Sequence, residues 1–123
     1  MEGSSHLWYM IVLYSKRILM AQIIVSKFGG TSMGDASCML RSAKVAAVQK
    51  SFIVVVSAVS GITNKLIELS KLSQFESWEL AEGLLSQIKT THEKIALELG
   101  ADLLKLAPLF DELASLAKGI HLL

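Results

Sequence analysis

The residues of this chain best suited to chemistry lie in two short stretches, "KFGGTS" at 27–32 and "SAVSGITN" at 57–64. In the first, Lys27 offers a compact positive charge, Gly29 and Gly30 let a backbone approach a ligand closely, and Thr31 and Ser32 add hydroxyl donors. With a helix starting just beyond, outward-pointing amides would join them, a combination that cradles phosphate oxygens. Such a cradle suits phosphoryl transfer, where positioning and charge stabilisation do most of the catalytic work. A glycine pair after a strand also serves as a plain tight turn, and a lysine there as a solvated strand end, so the pattern leaves both readings open. It is neither the P-loop, which ends in Gly-Lys-Ser/Thr, nor Gly-x-Gly-x-x-Gly. In the second stretch Ser57, Ser60, Thr63 and Asn64 are equally at home as ligand donors or as turn and cap residues.

These stretches need elements to hold them. "AQIIVSK" at 21–27 and "SFIVVVS" at 51–57 read as strands, and their continuous apolarity predicts burial on both faces, as in a parallel sheet covered by helices. Between them, Met39, Leu40, Ala43, Ala46 and Ala47 recur at helical spacing, with Ser32 or Asp35 available as the N-cap. Strand, helix and strand make a right-handed βαβ unit, in which both stretches emerge at one edge of the sheet and flank one crevice.

Further on, Gly61 and Thr63 read as loop, and Leu66, Ile67, Leu69 and Leu72 as a short amphipathic helix. Leu80, Leu84, Ile88, Ile95 and Leu99 predict a long helix stopped by Gly100. A last helix carries Leu106, Leu109, Phe110, Leu113, Leu116, Ala117 and Ile120, with Pro108 in its first turn. These last two are expected to pack as an antiparallel pair beside the sheet. Two buried strands cannot form a stable parallel sheet alone. Either the chain is a fragment, or its first nineteen residues or a second copy supply further strands.

Twelve basic residues against eleven acidic ones give no broad charged surface for nucleic acid or anionic lipid. Cys38 is the single cysteine among 123 residues, so there is no internal disulfide, which fits a reducing cytoplasm. The apolar run Leu7–Tyr14 follows Glu2 and precedes Lys16 and Arg17, the reverse of a secretory signal. It is also shorter than the roughly 20 residues that span a bilayer. Residues 1–19 are therefore expected to be dispensable, with the working protein starting near Met20; a membrane-surface or partner-docking segment is the alternative. His6, His92 and His121 have no ligand spacing, so no metal site is expected. Glu93 and Glu98 read as the wet face of the long helix, Trp78 and Phe110 as packing residues, and Cys38 as a small buried residue rather than a nucleophile.

"VSKFGGTS" and, thirty residues after Lys27, "SAVSGITN" together resemble the start of the aspartokinases, within the amino-acid kinase family. "LFDELASLAKGIHLL" is similar to the helical segment before that group's next motif. The resemblance covers residues 20–123 and leaves 1–19 outside it. It implies an α/β fold of the amino-acid kinase (carbamate kinase-like) type, a three-layer αβα arrangement of which this chain holds the N-terminal portion. It also implies ATP-dependent phosphorylation of the side-chain carboxylate of L-aspartate to 4-phospho-L-aspartate, the first step towards lysine, threonine, methionine and diaminopimelate.

By motif position, Lys27 would be the catalytic lysine, Gly29 and Gly30 backbone donors to the phosphate, with Thr31 and Ser32 beside them. Ser57 and Thr63 would line the aspartate pocket. ATP would arrive with Mg2+, no tightly bound cofactor is implied, and the full-length enzyme would be a cytoplasmic homo-oligomer. A Ser-x-Gly-Glu motif expected just beyond Leu123, the nucleotide-binding half and the regulatory domains are absent, as is the family's substrate-binding arginine. The chain alone is therefore expected to be inactive. A noncatalytic interaction module and a family member with another acid substrate are the alternative readings; Phe-Gly-Gly-Thr-Ser argues against the second.

Overall fold

A computed structural model describes residues 23–75 and 77–123. The first strand, β1 (Val25–Phe28), pairs in parallel with β2 (Ile53–Val56), with Val25 opposite Ile53 and Phe28 opposite Val56. Helix α1 (Ala36–Val48) connects them, giving the βαβ unit. Three more helices follow: α2 (Ile62–Phe75), α3 (Trp78–Glu98) and α4 (Ala107–His121). The expected leader, 1–19, and the first residues of the expected 21–27 strand lie outside the described residues.

Helix ends follow the local chemistry. Asp35, not Ser32, caps α1, and Ser77 caps α3. After α3, Gly100 takes φ +68°, while Gly100 N donates to Leu97 O at 3.1 Å and Ala101 N to Ala96 O at 2.8 Å. That double bond returns two orphan carbonyls to partners and stops the helix at the expected glycine. Pro108 sits in the first turn of α4, where its missing N–H costs nothing.

α3 and α4 run antiparallel. The start of α3 meets the end of α4, where Trp78 stacks on His121 with ring centres 5.6 Å apart and Lys118 Nζ lies 4.1 Å above the indole. Further along α3, His92 packs edge-on against Phe110 near the start of α4. Trp78 and Phe110 are thus packing residues, as expected. Helix α2 joins this pair, with Lys65 Nζ donating to Gln87 Oε1 at 3.2 Å. The core is centred here, on Leu69, Ala81, Leu84, Ile88, Ile95 and Ala117, and reaches Ala36, Val59 and Ile62.

The expected double-sided burial of the strands does not hold for the described residues. Val25 is 56% exposed and Val56 60%. Covering both faces needs a layer on each and strands on each edge, whereas the described sheet has two strands and α2, α3 and α4 pack chiefly on one another. Several apolar positions predicted to be inward are also exposed: Leu40, Ala43 and Ala47 on α1, Leu66 and Ile67 on α2, Leu80 on α3, Leu109, Leu116 and Ile120 on α4. Ala81 and Ala96 are buried instead. Periodicity marks an apolar stripe wider than the seam a neighbour covers, and small residues take the closest approach.

Ser73 is fully buried on α2 and its Oγ has no hydrogen-bond partner among the described residues. An unsatisfied buried hydroxyl costs on the order of 1–3 kcal/mol. Ser73→Ala is therefore expected to raise stability by about 1 kcal/mol, read from urea unfolding midpoints; a lower midpoint would show that the hydroxyl finds a carbonyl in solution. Among the described residues no helix is long and apolar enough to cross a membrane.

Candidate functional site

The carboxyl ends of β1 and β2 lie side by side, so the two chemically suggestive stretches leave the sheet together. Ser57 N donates to Phe28 O at 3.0 Å, which extends the ladder one step past β2. Beyond β1, Gly29 is extended and a 3-10 turn, Gly30–Met33, intervenes before α1. Ser32 N donates to Gly29 O at 3.0 Å and Gly34 N to Thr31 O at 3.4 Å. The amides of Gly29, Gly30 and Thr31 donate to no group among the described residues, which leaves three donors at the turn.

The second loop closes on the first. A β-carbon built on Gly30 would lie 3.9 Å from Ser57 Oγ, and one on Gly34 would lie 3.4 Å from Thr31 O and 3.9 Å from Ser60 Cβ. The two loops thus lie within van der Waals reach of each other at Gly30 and Gly34. Gly61, at φ +80°, reverses the chain into α2, a conformation that favours glycine. Thr63, expected in the loop, belongs instead to the first turn of α2, where it is exposed. The turn after β1 and the amino end of α2 thus stand at one sheet edge, and a helix amino end carries partial positive charge.

Alternation along the strands sorts the residues onto two faces. Ser26 is buried on the α1 side, where its Oγ lies 2.6 Å from Ser51 Oγ and donates to Gln49 Oε1 at 3.1 Å. Lys27 is opposite Val55 on the other face, and Ser57, two residues after Val55, falls on that same face. Lys27, Gly30 and Ser57 accordingly form one group. Thr31 and Ser32 belong to another: with Phe28, Cys38, Arg41 and Ser42 they line an open cleft of about 340 Å³ beside α1.

Arg41 is the cationic side chain that sequence reading overlooked. Its guanidinium donates to Ser37 Oγ at 2.8 Å and to Cys38 Sγ at 3.1 Å, one turn back on α1. The i, i+3 and i, i+4 spacing was the available signal. Cys38 is partly exposed beside it rather than buried. Buried Ser42 donates to Ser32 O at 3.1 Å and ties the 3-10 turn to α1. Among the described residues no cluster of three or more His, Cys, Asp or Glu could hold a metal ion.

Asp35 Oδ1 accepts from Cys38 N at 2.7 Å, and this bond holds the carboxyl below its ordinary pKa. A depressed folded-state pKa gives stability that is present above the unfolded value and lost as pH falls through the folded one. Asp35→Ala is thus expected to lower the melting temperature at neutral pH, with the difference from the parent shrinking as pH falls through the native carboxyl's titration. A pH-independent difference in a melting series would assign the effect to something other than this cap.

Residues 22–120 match the model of the amino acid kinase family. The aspartokinase of Chlamydia trachomatis is 39% identical over 79 residues, which are 64% of this chain and 17% of that protein. The lysine-sensitive aspartokinase 3 of Escherichia coli is 47% identical over 53 residues, 42% of this chain and 12% of that protein. Among solved structures, Escherichia coli aspartokinase III with lysine and aspartate (T-state) and the same enzyme with aspartate and ADP (R-state) each superpose with a TM-score of 0.70 at 32% identity. They cover 81% and 82% of this chain, which in turn spans 23% of theirs.

Proposed function

Because the chain belongs to the amino acid kinase family, we propose that it forms the phosphoryl-holding part of an aspartokinase site, used to transfer the γ-phosphoryl group of ATP to the side-chain carboxylate of L-aspartate. One observation carries the reading: Gly30 and Ser57 meet across the carboxyl edge of a parallel pair, on the face that also bears Lys27. The similarity to aspartokinases, one of them solved with aspartate and ADP, supports this choice of substrates.

In this scheme a carboxylate oxygen attacks the γ-phosphorus as the bond to the bridging oxygen breaks, and ADP leaves with that electron pair. Two anions must be brought together, which requires fixed positive charge and amide donors. Lys27 supplies the charge, Gly29 and Gly30 direct backbone N–H groups at the phosphate, and Thr31 and Ser32 stand beside them. Ser57 and Thr63 hold the aspartate. Magnesium would come with the nucleotide as part of the substrate complex and would offset the charge of its phosphates. The complete enzyme works as a cytoplasmic homo-oligomer; this chain, a minor part of its relatives' length, gives no turnover alone.

The test is a chimera in which residues 22–120 replace the corresponding segment of Escherichia coli lysine-sensitive aspartokinase 3. ATP- and aspartate-dependent formation of aspartyl hydroxamate is expected. A folded chimera that binds nucleotide yet makes no hydroxamate with aspartate would overturn the reading. In the same chimera Gly30→Ala should leave thermal unfolding unchanged, because the added methyl meets Ser57 Oγ at an ordinary 3.9 Å. It should lower turnover by about 100-fold, since that methyl occupies the gap through which the phosphate approaches the backbone. Unchanged turnover would mean that the phosphate does not approach there.

A further inference from the structure

Among the described residues, three helical hydroxyls donate to backbone carbonyls. Thr91 Oγ1 reaches Gln87 O and Ser115 Oγ reaches Asp111 O, each at 2.8 Å and four residues back in its own helix, the usual partner of a hydroxyl on a helix. Ser42 departs from this. It is 7% exposed on α1, whose other buried residues are Ala36 and Ala46, and its Oγ donates out of the helix to Ser32 O, ten residues back. No other group among the described residues donates to that carbonyl. An alanine would fill such a buried helical position with no polar group to satisfy, so the hydroxyl is accounted for by the turn it holds.

We propose that Ser42 is a positioning residue for phosphoryl transfer: by holding the Ser32 carbonyl it keeps the amides of Gly29, Gly30 and Thr31 aimed at one point. The proposal rests on the reading of that turn as a phosphate cradle. Two of the three amides belong to glycines, which have the widest backbone freedom of any residue, so their N–H groups keep a common direction only where the chain on both sides is fixed. On one side β1 is fixed by its ladder to β2. On the other, the bond from Ser32 N to Gly29 O closes the turn on itself, and that from Gly34 N to Thr31 O is long at 3.4 Å. Neither ties the turn to the body of α1. The Ser42 hydroxyl does, beside the buried side chain of Met33. Amide donors stabilise a group in transfer to the extent that they are oriented before the reaction begins, and Ser42 acts on the phosphoryl group only through the turn.

Ser42→Ala tests this, a change that any helix accommodates. Backbone amide relaxation by NMR in the 123-residue chain should show the order parameters of Gly30 and Thr31 falling from about 0.85 to below about 0.6, with those of α3 and α4 unchanged. Unchanged values at the turn overturn the proposal. In the chimera the same substitution should lower kcat about tenfold and leave the KM for aspartate within about twofold of the parent, because Ser57 and Thr63 stand on the other loop. Combined with Gly30→Ala it should cost little more: once the phosphate no longer reaches the turn, the aim of the amides ceases to matter. The double variant should then fall about 100-fold, as Gly30→Ala does alone, rather than about 1,000-fold. Additive losses, or an unchanged kcat in the single variant, overturn the proposal and leave Ser42 a purely structural tie. A parent chimera that makes no hydroxamate counts against the aspartokinase reading alone, and the order parameters still decide whether Ser42 holds the turn.

Discussion

Lys27→Ala in the chimeric enzyme is expected to lower turnover by about a thousandfold while leaving its melting temperature within a degree or two of the parent. The two readouts separate because Lys27 is exposed at the end of β1 and its side chain makes no hydrogen bond or ion pair among the described residues. Its removal takes away no packing. What it removes is the fixed charge beside Gly29 and Gly30 at the point where two anions must meet. That charge matters most when the phosphoryl group is between oxygens, so the loss should fall on kcat and only weakly on the KM for aspartate. A drop of less than tenfold would return Lys27 to the standing of a solvated strand end. Lys27→Arg sharpens the test: it restores charge, but a planar fork does not occupy the place of a compact ammonium, so recovery should be partial.

Ile88→Ala is expected to cost about 2–5 kcal/mol of stability. Ile88 is 1% exposed, midway along α3, in the cluster formed with α2 and α4. Truncation there leaves a cavity that three helices cannot all close. Small domains are stable by only about 5–15 kcal/mol, so this one change should shift the urea midpoint to a large fraction of the way to zero. Leu80→Ala makes the contrast. Leu80 belongs to the same apolar series in sequence but is 55% exposed, and its truncation should change stability by about 0.5 kcal/mol or less. Comparable losses for the two variants would mean that a partner covers Leu80 in solution.

That contrast shows what a linear pattern can and cannot convey. The 3.6-residue period placed Leu80 and Ile88 on one stripe, and both do lie on α3. Which part of the stripe is covered depends on where α2 and α4 cross it, information held in their own residues and in the loops between. The same reasoning explains Ala81 and Ala96, whose small side chains gave no strong signal but which are buried where helices come closest. It also explains the strands: the run Ile53–Val56 announces a buried strand, yet burial needs neighbours that the described part of the chain does not place there.

The sequence by itself determined the βαβ unit, the antiparallel helical pair, the stop at Gly100, a capped start to α1 at Ser32 or Asp35 and the nearness of the two hydroxyl-rich stretches. Each rests on short-range chemistry: backbone freedom at glycine, a side chain reaching an amide three residues away, a period of two or 3.6, and the handedness of a strand-helix-strand crossover. Only the tertiary structure decided how the "KFGGTS" residues divide, with Lys27 and Gly30 facing Ser57 while Thr31 and Ser32 turn towards Arg41 and Cys38. A 3-10 turn between strand and helix rotates successive residues to different sides, and the Ser42 hydroxyl on the Ser32 carbonyl ties that turn to α1, a contact across ten residues that no local rule foretells.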